Sequence, residues 1–223
     1  MTKKGFIFDL DGVIVDTAKY HFLAWKNLAN SIGVDFSEEQ NEHLKGVSRK
    51  RSLEKILDWG NKTLSEEEFN RLMGLKNEDY LSHINQMDAS EILPDIEKTL
   101  DFLIDKEQGL ALGSASKNAK PILKKVALLH KFDAIVDGND VSKAKPDPEV
   151  FLNAAKLLGV APKDCIVFED SVAGIQAANT AHMLSIGIGQ KSVLHEADYI
   201  FNDFTEISES FLLDIISNRV HKK

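Results

Sequence analysis

Residues 5–16 read GFIFDLDGVIVD, an apolar run that ends in Asp9 and Asp11, one residue apart. Side chains two apart on a strand point to the same face, so two like charges sit together where a buried strand ends. Repulsion and desolvation push at least one carboxyl pKa upward and reduce stability, unless a cation neutralises the pair or one carboxyl carries a proton. The pair reads as chemistry placed at a strand end.

Four more short apolar runs follow, at Leu110–Gly113, Ala134–Val136, Cys165–Phe168 and Leu184–Ile188. Most are continuous rather than alternating, which suits strands covered on both faces. Helical patterns separate the last four, at residues 119–132 (AKPILKKVALLHKF), 147–159 (DPEVFLNAAKLLG) and 171–183 (SVAGIQAANTAHM). Asp147 before Pro148 and Glu149 reads as an N-cap with proline at the first helical position, and Ser171 as the cap of the next helix. Strand and helix alternating in this way imply an α/β fold, a Rossmann-like parallel sheet flanked by helices.

The stretch from Thr17 to Ala89 breaks the alternation, since it carries helical patterns and no convincing strand. Ser37 with Gln40, and Ser65 with Glu68, have capping-box spacing and predict two helix starts. The first strand precedes this unit and the others follow it, so residues 17–89 read as a helical insertion in an α/β domain made of residues 1–16 and 90–223. The ending NRVHKK reads as a frayed helix end with a solvated charge run.

Composition narrows the function. The chain has 223 residues, 43% hydrophobic and 28% charged, and no apolar run approaches the ~18 residues of a membrane span. Lys3 and Lys4 precede an apolar stretch, but Asp9 and Asp11 interrupt it too early for a secretory signal, so a cytoplasmic protein is expected. One cysteine, Cys165, forms no intramolecular disulfide or thiolate cluster and is expected to pack inside a strand. A formal net charge of −8 argues against nucleic-acid binding, so any phosphate must be met by local cations. A monomer without nucleic-acid or membrane partners is expected.

Ligands of open parallel sheets gather beyond the carboxyl ends of the strands. Four such ends carry polar groups: Asp9 and Asp11; SASKN (Ser114, Ala115, Ser116, Lys117, Asn118); KAKPDP with Lys145; and Glu169 with Asp170. In this order, with a helical insertion after the first, they resemble the signature of the haloacid dehalogenase superfamily over essentially the whole chain. A carboxylate can attack a phosphoryl group to give an acyl phosphate, splitting one hard transfer into two easier ones, and Asp9 matches the family's nucleophile. The acidic cluster suits a hard Mg²⁺ ion. The resemblance implies that Asp9 binds it by its side chain and Asp11 by its backbone carbonyl, with Glu169 and Asp170 completing the site. It also implies that Lys145 and the Ser114 hydroxyl neutralise the transferring phosphate. The resemblance further implies that Asp11 keeps its side chain for general acid and base work, and that a second aspartate here favours phosphoryl transfer over dehalogenation.

The helical insertion is expected to be the family's cap. DTAKYHFLAWKNLA places Thr17, His21 and Trp25 at i, i+4 spacing on one helical face. Together with LKGVSRKRS (Leu44 to Ser52) and Lys76 it is similar to the sugar-phosphate mutase branch of the superfamily, which interconverts β-D-glucose 1-phosphate and glucose 6-phosphate. That similarity implies that Arg49 grips the non-reacting phosphate with Ser116, Lys117 and Asn118. It implies that Gly46, Val47, Ser48, Ser52 and Lys76 face the sugar phosphate, and that Thr17 and His21 tie Asp11 to cap closure. Trp25 reads as core. The implied cofactors are Mg²⁺ and β-glucose 1,6-bisphosphate, the latter as activator and intermediate. The alternative is a phosphatase of small sugar phosphates using the same four motifs.

Overall fold

Gly5–Phe8 forms β1, every residue of it buried, at the centre of a six-stranded sheet in the computed structural model, which describes residues 3–222. Its neighbours are β2 (Gly109–Gly113) and β4 (Cys165–Glu169), with β3 (Ala134–Val136) beyond β2 and β5 (Leu184–Ile188) beyond β4. The sheet order is β3-β2-β1-β4-β5-β6, and all five pairings are parallel. The five expected strands are present, β2 and β4 each one residue longer than expected. The sixth, β6 (Tyr199–Phe201), is a three-residue edge strand only partly buried, too short and polar-flanked to register as an apolar run.

Successive residues of the central strands go to opposite faces. Phe6, Phe8, Leu110, Leu112, Ile166 and Phe168 join one apolar cluster, while Ile7, Ala111, Cys165 and Val167 join another. The first face is covered by α5 (Ile96–Asp105), α6 (Ala119–Lys125) and α9 (Glu209–Ile216), the second by α7 (Glu149–Leu158) and α8 (Val172–Thr180). Phe8 and Phe168 stack at 4.7 Å with no exposure, and burial of such a side chain contributes about 2–3 kcal/mol. This interior anchors the strand end that carries Asp9.

Four helices lie between β1 and α5: α1 (Ala18–Ser31), α2 (Glu38–Glu42), α3 (Arg49–Trp59) and α4 (Glu66–Ile84). They enclose an apolar cluster of their own, including Trp25, Phe36, Leu53, Ile56 and Leu72, while Ala24, Tyr80 and Ile84 reach into the cluster of the sheet. Ser37 and Gln40 form the expected capping box, and Ser65 accepts from the Glu68 amide. The two chain crossings run side by side, with Val15 bridged to Ile92 and the Leu93 amide donating to the Ile14 carbonyl at 3.0 Å. Among the described residues no helix is long and apolar enough to cross a membrane.

Three local expectations are corrected. The helix expected over 119–132 stops at Lys125, because Ala127 takes a left-handed φ of 59° that lets Val126 and Leu128 both reach the core. Pro148, not Asp147, holds the N-cap position of α7, although Asp147 still accepts from the Glu149 amide at 3.1 Å. The C-terminal stretch does not continue a helix: α9 ends at Ile216, and Lys222 donates to the carbonyls of Asn179 and Met183.

Candidate active site

Strand β1 ends at Phe8, so Asp9 and Asp11 stand just beyond it rather than on it. The Asp9 amide still donates to the Phe168 carbonyl at 3.0 Å, extending the ladder by one residue. From there the two carboxyls diverge. Asp9 meets Lys145, whose Nζ donates to its Oδ1 at 2.7 Å and to Glu169 Oε1 at 2.5 Å. Asp11 turns to the helical insertion and accepts a hydrogen bond from the Thr17 hydroxyl.

Lys145 comes from the loop between β3 and α7. That loop is closed by Glu149, whose carboxylate accepts from the amides of Ser142 at 3.0 Å and Lys143 at 2.7 Å. Glu169, fully buried, is fixed by the Ser171 amide and hydroxyl, both 2.8 Å from Oε2. Its carboxyl lies against the first turn of α8, where a Cβ on residue 174 would sit 1.9 Å from it; only Gly174 leaves the room.

Asp9, Glu169 and Asp170 bring carboxylate oxygens within 4.8 Å of one another. Burial, opposed by Lys145 and reinforced by Glu169 and Asp11, pushes Asp9 up to about 7. Burial, then Glu169 and Asp9, holds Asp170 well above the usual carboxylate range. Lys145 stays charged: burial works against its ammonium, but Asp9 and Glu169 outweigh it and raise its pKa. One buried lysine thus pairs with two of the three crowded carboxyls. An all-oxygen donor set of this charge fits a hard divalent cation such as Mg²⁺. The side chain of Asp11 stands outside that cluster.

Asp9, Asp11 and Asp170 line a cavity of about 630 Å³ between the strand ends and the helical insertion. Of the remaining expected residues, His21, Gly46, Val47, Ser48, Arg49, Ser52, Lys76, Ser114, Ala115, Ser116, Lys117, Asn118 and Lys145 line it too, and Trp25 borders it while packing in the insertion's core. Thr17 and Glu169 do not line it and act behind the wall, each bonded to a lining group. The structure therefore brings the separated motifs to one place. Seven lining residues are lysine or arginine against three aspartates, so an anionic chain presents a cationic cavity.

At the β2 end, Ser114 Oγ accepts from the Ser116 amide at 3.0 Å and Ser116 Oγ from the Asn118 amide at 3.2 Å. Both hydroxyls have a lone pair taken by the backbone, which leaves their O–H protons to donate. On the insertion side, Lys76 and His21 Nδ1 are 2.9 Å apart, and His21 stacks on Tyr80 at 4.2 Å. Burial, then Lys76 and Arg49, holds His21 well below its ordinary pKa. A neutral His21 that accepts from the Lys76 ammonium at Nδ1 carries its proton on Nε2, which faces Asp11 Oδ1 at 3.8 Å.

The model of the haloacid dehalogenase-like hydrolases matches residues 3–182. The chain belongs to that family. Among relatives, it is 42% identical to the β-phosphoglucomutase of Bacillus subtilis over 94% of this chain and 93% of that protein. It is 30% identical to a phosphorylated carbohydrates phosphatase of Thermotoga maritima over 78% of this chain and 80% of that protein. Among solved structures, the β-phosphoglucomutase of Clostridium difficile superposes with a TM-score of 0.93 at 41% identity, covering 98% of this chain and 99% of that one.

Within this dehalogenase-family site some residues escaped sequence reasoning. Lys45 lines the cavity and places Nζ 3.7 Å from Asp170 Oδ2 and 3.0 Å from Glu42 Oε2. Its signal was present, one residue before Gly46, but nothing in the sequence shows α2 leaning toward the acidic cluster. Tyr80 and Ser171 act as supports for His21 and Glu169, roles visible only after folding.

Proposed function

We propose that the chain is a β-phosphoglucomutase, interconverting β-D-glucose 1-phosphate and glucose 6-phosphate through an aspartyl phosphate on Asp9 and β-glucose 1,6-bisphosphate. The observation that carries this reading is that one cavity is lined by two sets of donors: Lys145, bonded to Asp9, and Arg49 with Ser116, Lys117 and Asn118. A phosphatase needs only the first. The β-phosphoglucomutases at 41–42% identity over nearly the whole chain support the same conclusion.

Asp9 Oδ would attack phosphorus, forming the P–O bond as the sugar oxygen leaves with a proton from Asp11. Burial raises Asp11 while the Thr17 hydrogen bond pulls it back, giving a carboxyl that holds a proton more readily than an ordinary aspartate. Lys145 and the free Ser114 proton face the charge on the transferring group. Asp9, Glu169 and Asp170 would hold Mg²⁺, which neutralises phosphoryl oxygens. Arg49, planar and donor-only, suits the non-reacting phosphate. Residues 17–89 would act as a cap over the α/β domain of residues 1–16 and 90–223, excluding water so that the aspartyl phosphate passes to sugar.

The test is incubation with β-glucose 1-phosphate, Mg²⁺ and a trace of β-glucose 1,6-bisphosphate. Glucose 6-phosphate should form with little inorganic phosphate. Steady phosphate release without isomerisation would instead establish the second reading, a sugar-phosphate phosphatase, which the Thermotoga relative favours.

A further inference from the structure

Asn77 lies on α4, one residue after the cavity-lining Lys76. Its Oδ1 accepts two hydrogen bonds from opposite walls of the cavity. One comes from Arg49 Nη2 on α3, at 2.7 Å, and the other from Asn118 Nδ2 at the end of β2, at 3.0 Å. We propose that Asn77 is a positioning residue that sets the polarity of the second anion site, by fixing the amide of Asn118 and the guanidinium of Arg49 before the non-reacting phosphate arrives. This rests on the mutase reading, which requires that second site.

Donors and acceptors fix the orientation of both amides. A guanidinium has no acceptor, so the Asn77 atom facing Arg49 must be the carbonyl oxygen. The Asn118 atom facing that same oxygen must then be the NH₂ group. An asparagine amide is nearly symmetric in shape, and a half-turn of Asn118 would bring its carbonyl where its donor now stands, a repulsive arrangement for a phosphate. Asn77 removes that alternative. The NH₂ group of Asn118 spends one proton on Asn77 and keeps the other for an anion. Arg49 is likewise held with its remaining N–H donors free. Asn77 touches neither Asp9 nor its cluster, so its effect is confined to ligands that reach the Arg49 end.

Acetyl phosphate, with a single phosphate, can load Asp9 without the second site, whereas glucose 1-phosphate as acceptor needs it. Asn77→Leu, matched in size and without an acceptor, and Asn77→Ala are compared with wild type. In both variants KM for β-glucose 1-phosphate should rise about tenfold to a hundredfold, the effect of hydrogen bonds to charged groups. Loading of Asp9 by acetyl phosphate, read by intact mass, should stay within twofold. An unchanged KM, or a parallel loss of both half-reactions, overturns the role. A wild type that loads Asp9 yet fails to isomerise glucose 1-phosphate would instead refute the mutase reading on which it rests.

Discussion

Lys76→Met should stabilise the protein in acid and lose that advantage as pH rises. Lys76 is 3% exposed, with His21 at 2.9 Å and the rings of Trp25 and Tyr80 at 4.8 and 4.6 Å. Burial, reinforced by Arg49 and weakly opposed by Asp11 and Asp79, pulls its ammonium from 10.5 down to about 7. At 1.36 kcal/mol per pH unit that gap corresponds to a penalty of about 5 kcal/mol when the group is charged. Two cation–π contacts return about 1 kcal/mol each, leaving about 3 kcal/mol. The folded pKa lies below the unfolded one, so the unfolded chain binds more protons between about pH 7 and 10.5 and wild-type stability rises across that window. Below it the penalty is complete. Methionine keeps the apolar stem without the charge, and its gain at pH 6 should be about 2–3 kcal/mol, roughly 5–10 °C in Tm for a chain of this size. By pH 10 the gain should nearly vanish. Thermal melts of both proteins at pH 6, 8 and 10 measure it, and a gain independent of pH, or a loss at pH 6, would refute the reasoning. The same variant should isomerise glucose 1-phosphate more slowly, because His21 loses the donor that turns its Nε2–H toward Asp11.

Other outcomes follow from the same geometry. Asp9→Asn should abolish the mass increase on incubation with acetyl phosphate, since a neutral amide replaces the carboxylate nucleophile. Lys145→Met leaves Asp9 and Glu169 buried without their shared counter-charge; unfolding without Mg²⁺ should become easier by about 3–5 kcal/mol, with added MgCl₂ restoring much of it in a melt. Asp170→Asn should erase the rise in Tm that MgCl₂ gives wild type, about 2.7 kcal/mol at a hundredfold excess over Kd. Gly46→Val should lower turnover and stability together, the latter by about 1–3 kcal/mol, because residue 46 has φ of 69° and a Cβ there would lie 2.4 Å from Ser171 Oγ.

The strands around β1 were legible because a parallel strand covered on both faces must be a continuous apolar run, and GFIF, LALG and CIVF are. Tyr199–Phe201 was not, since an edge strand of three half-buried residues needs no such run. At the site, Asp9 and Asp11 were legible as a like-charge pair that no fold would keep for stability alone. Their divergence, one to Lys145 and one to Thr17, depends on where β1 ends relative to the insertion, and alternation along a strand misplaces it. Arg49 stood inside a basic run, where only the similarity of LKGVSRKRS (Leu44 to Ser52) to the mutase branch singled it out. Asn77 had no local signal and Lys45 only its place beside Gly46, because each acquires its partner across the cavity only when α4 and the turn after α2 dock there.

The division of the cavity between two structural units bears on how a mutase would differ from a hydrolase built on the same four strand ends. The Asp9 end belongs to the sheet, whereas Arg49 and Lys76 belong to the helical insertion and Ser116, Lys117 and Asn118 to the sheet. On the proposed mechanism a ligand with two phosphates would contact both units at once and so have a differential affinity for any arrangement that brings them together, and such a difference is what shifts a population toward closure. A ligand with one phosphate, held at Asp9 alone, gives no comparable bias. On the proposed mechanism, the aspartyl phosphate formed from acetyl phosphate should therefore meet water more often than one formed from glucose 1,6-bisphosphate. The chemistry at Asp9 would be the same in both cases, and its outcome, hydrolysis or transfer, would be decided at the far end of the cavity, by the donors that Arg49 and Asn118 keep aimed at the second phosphate.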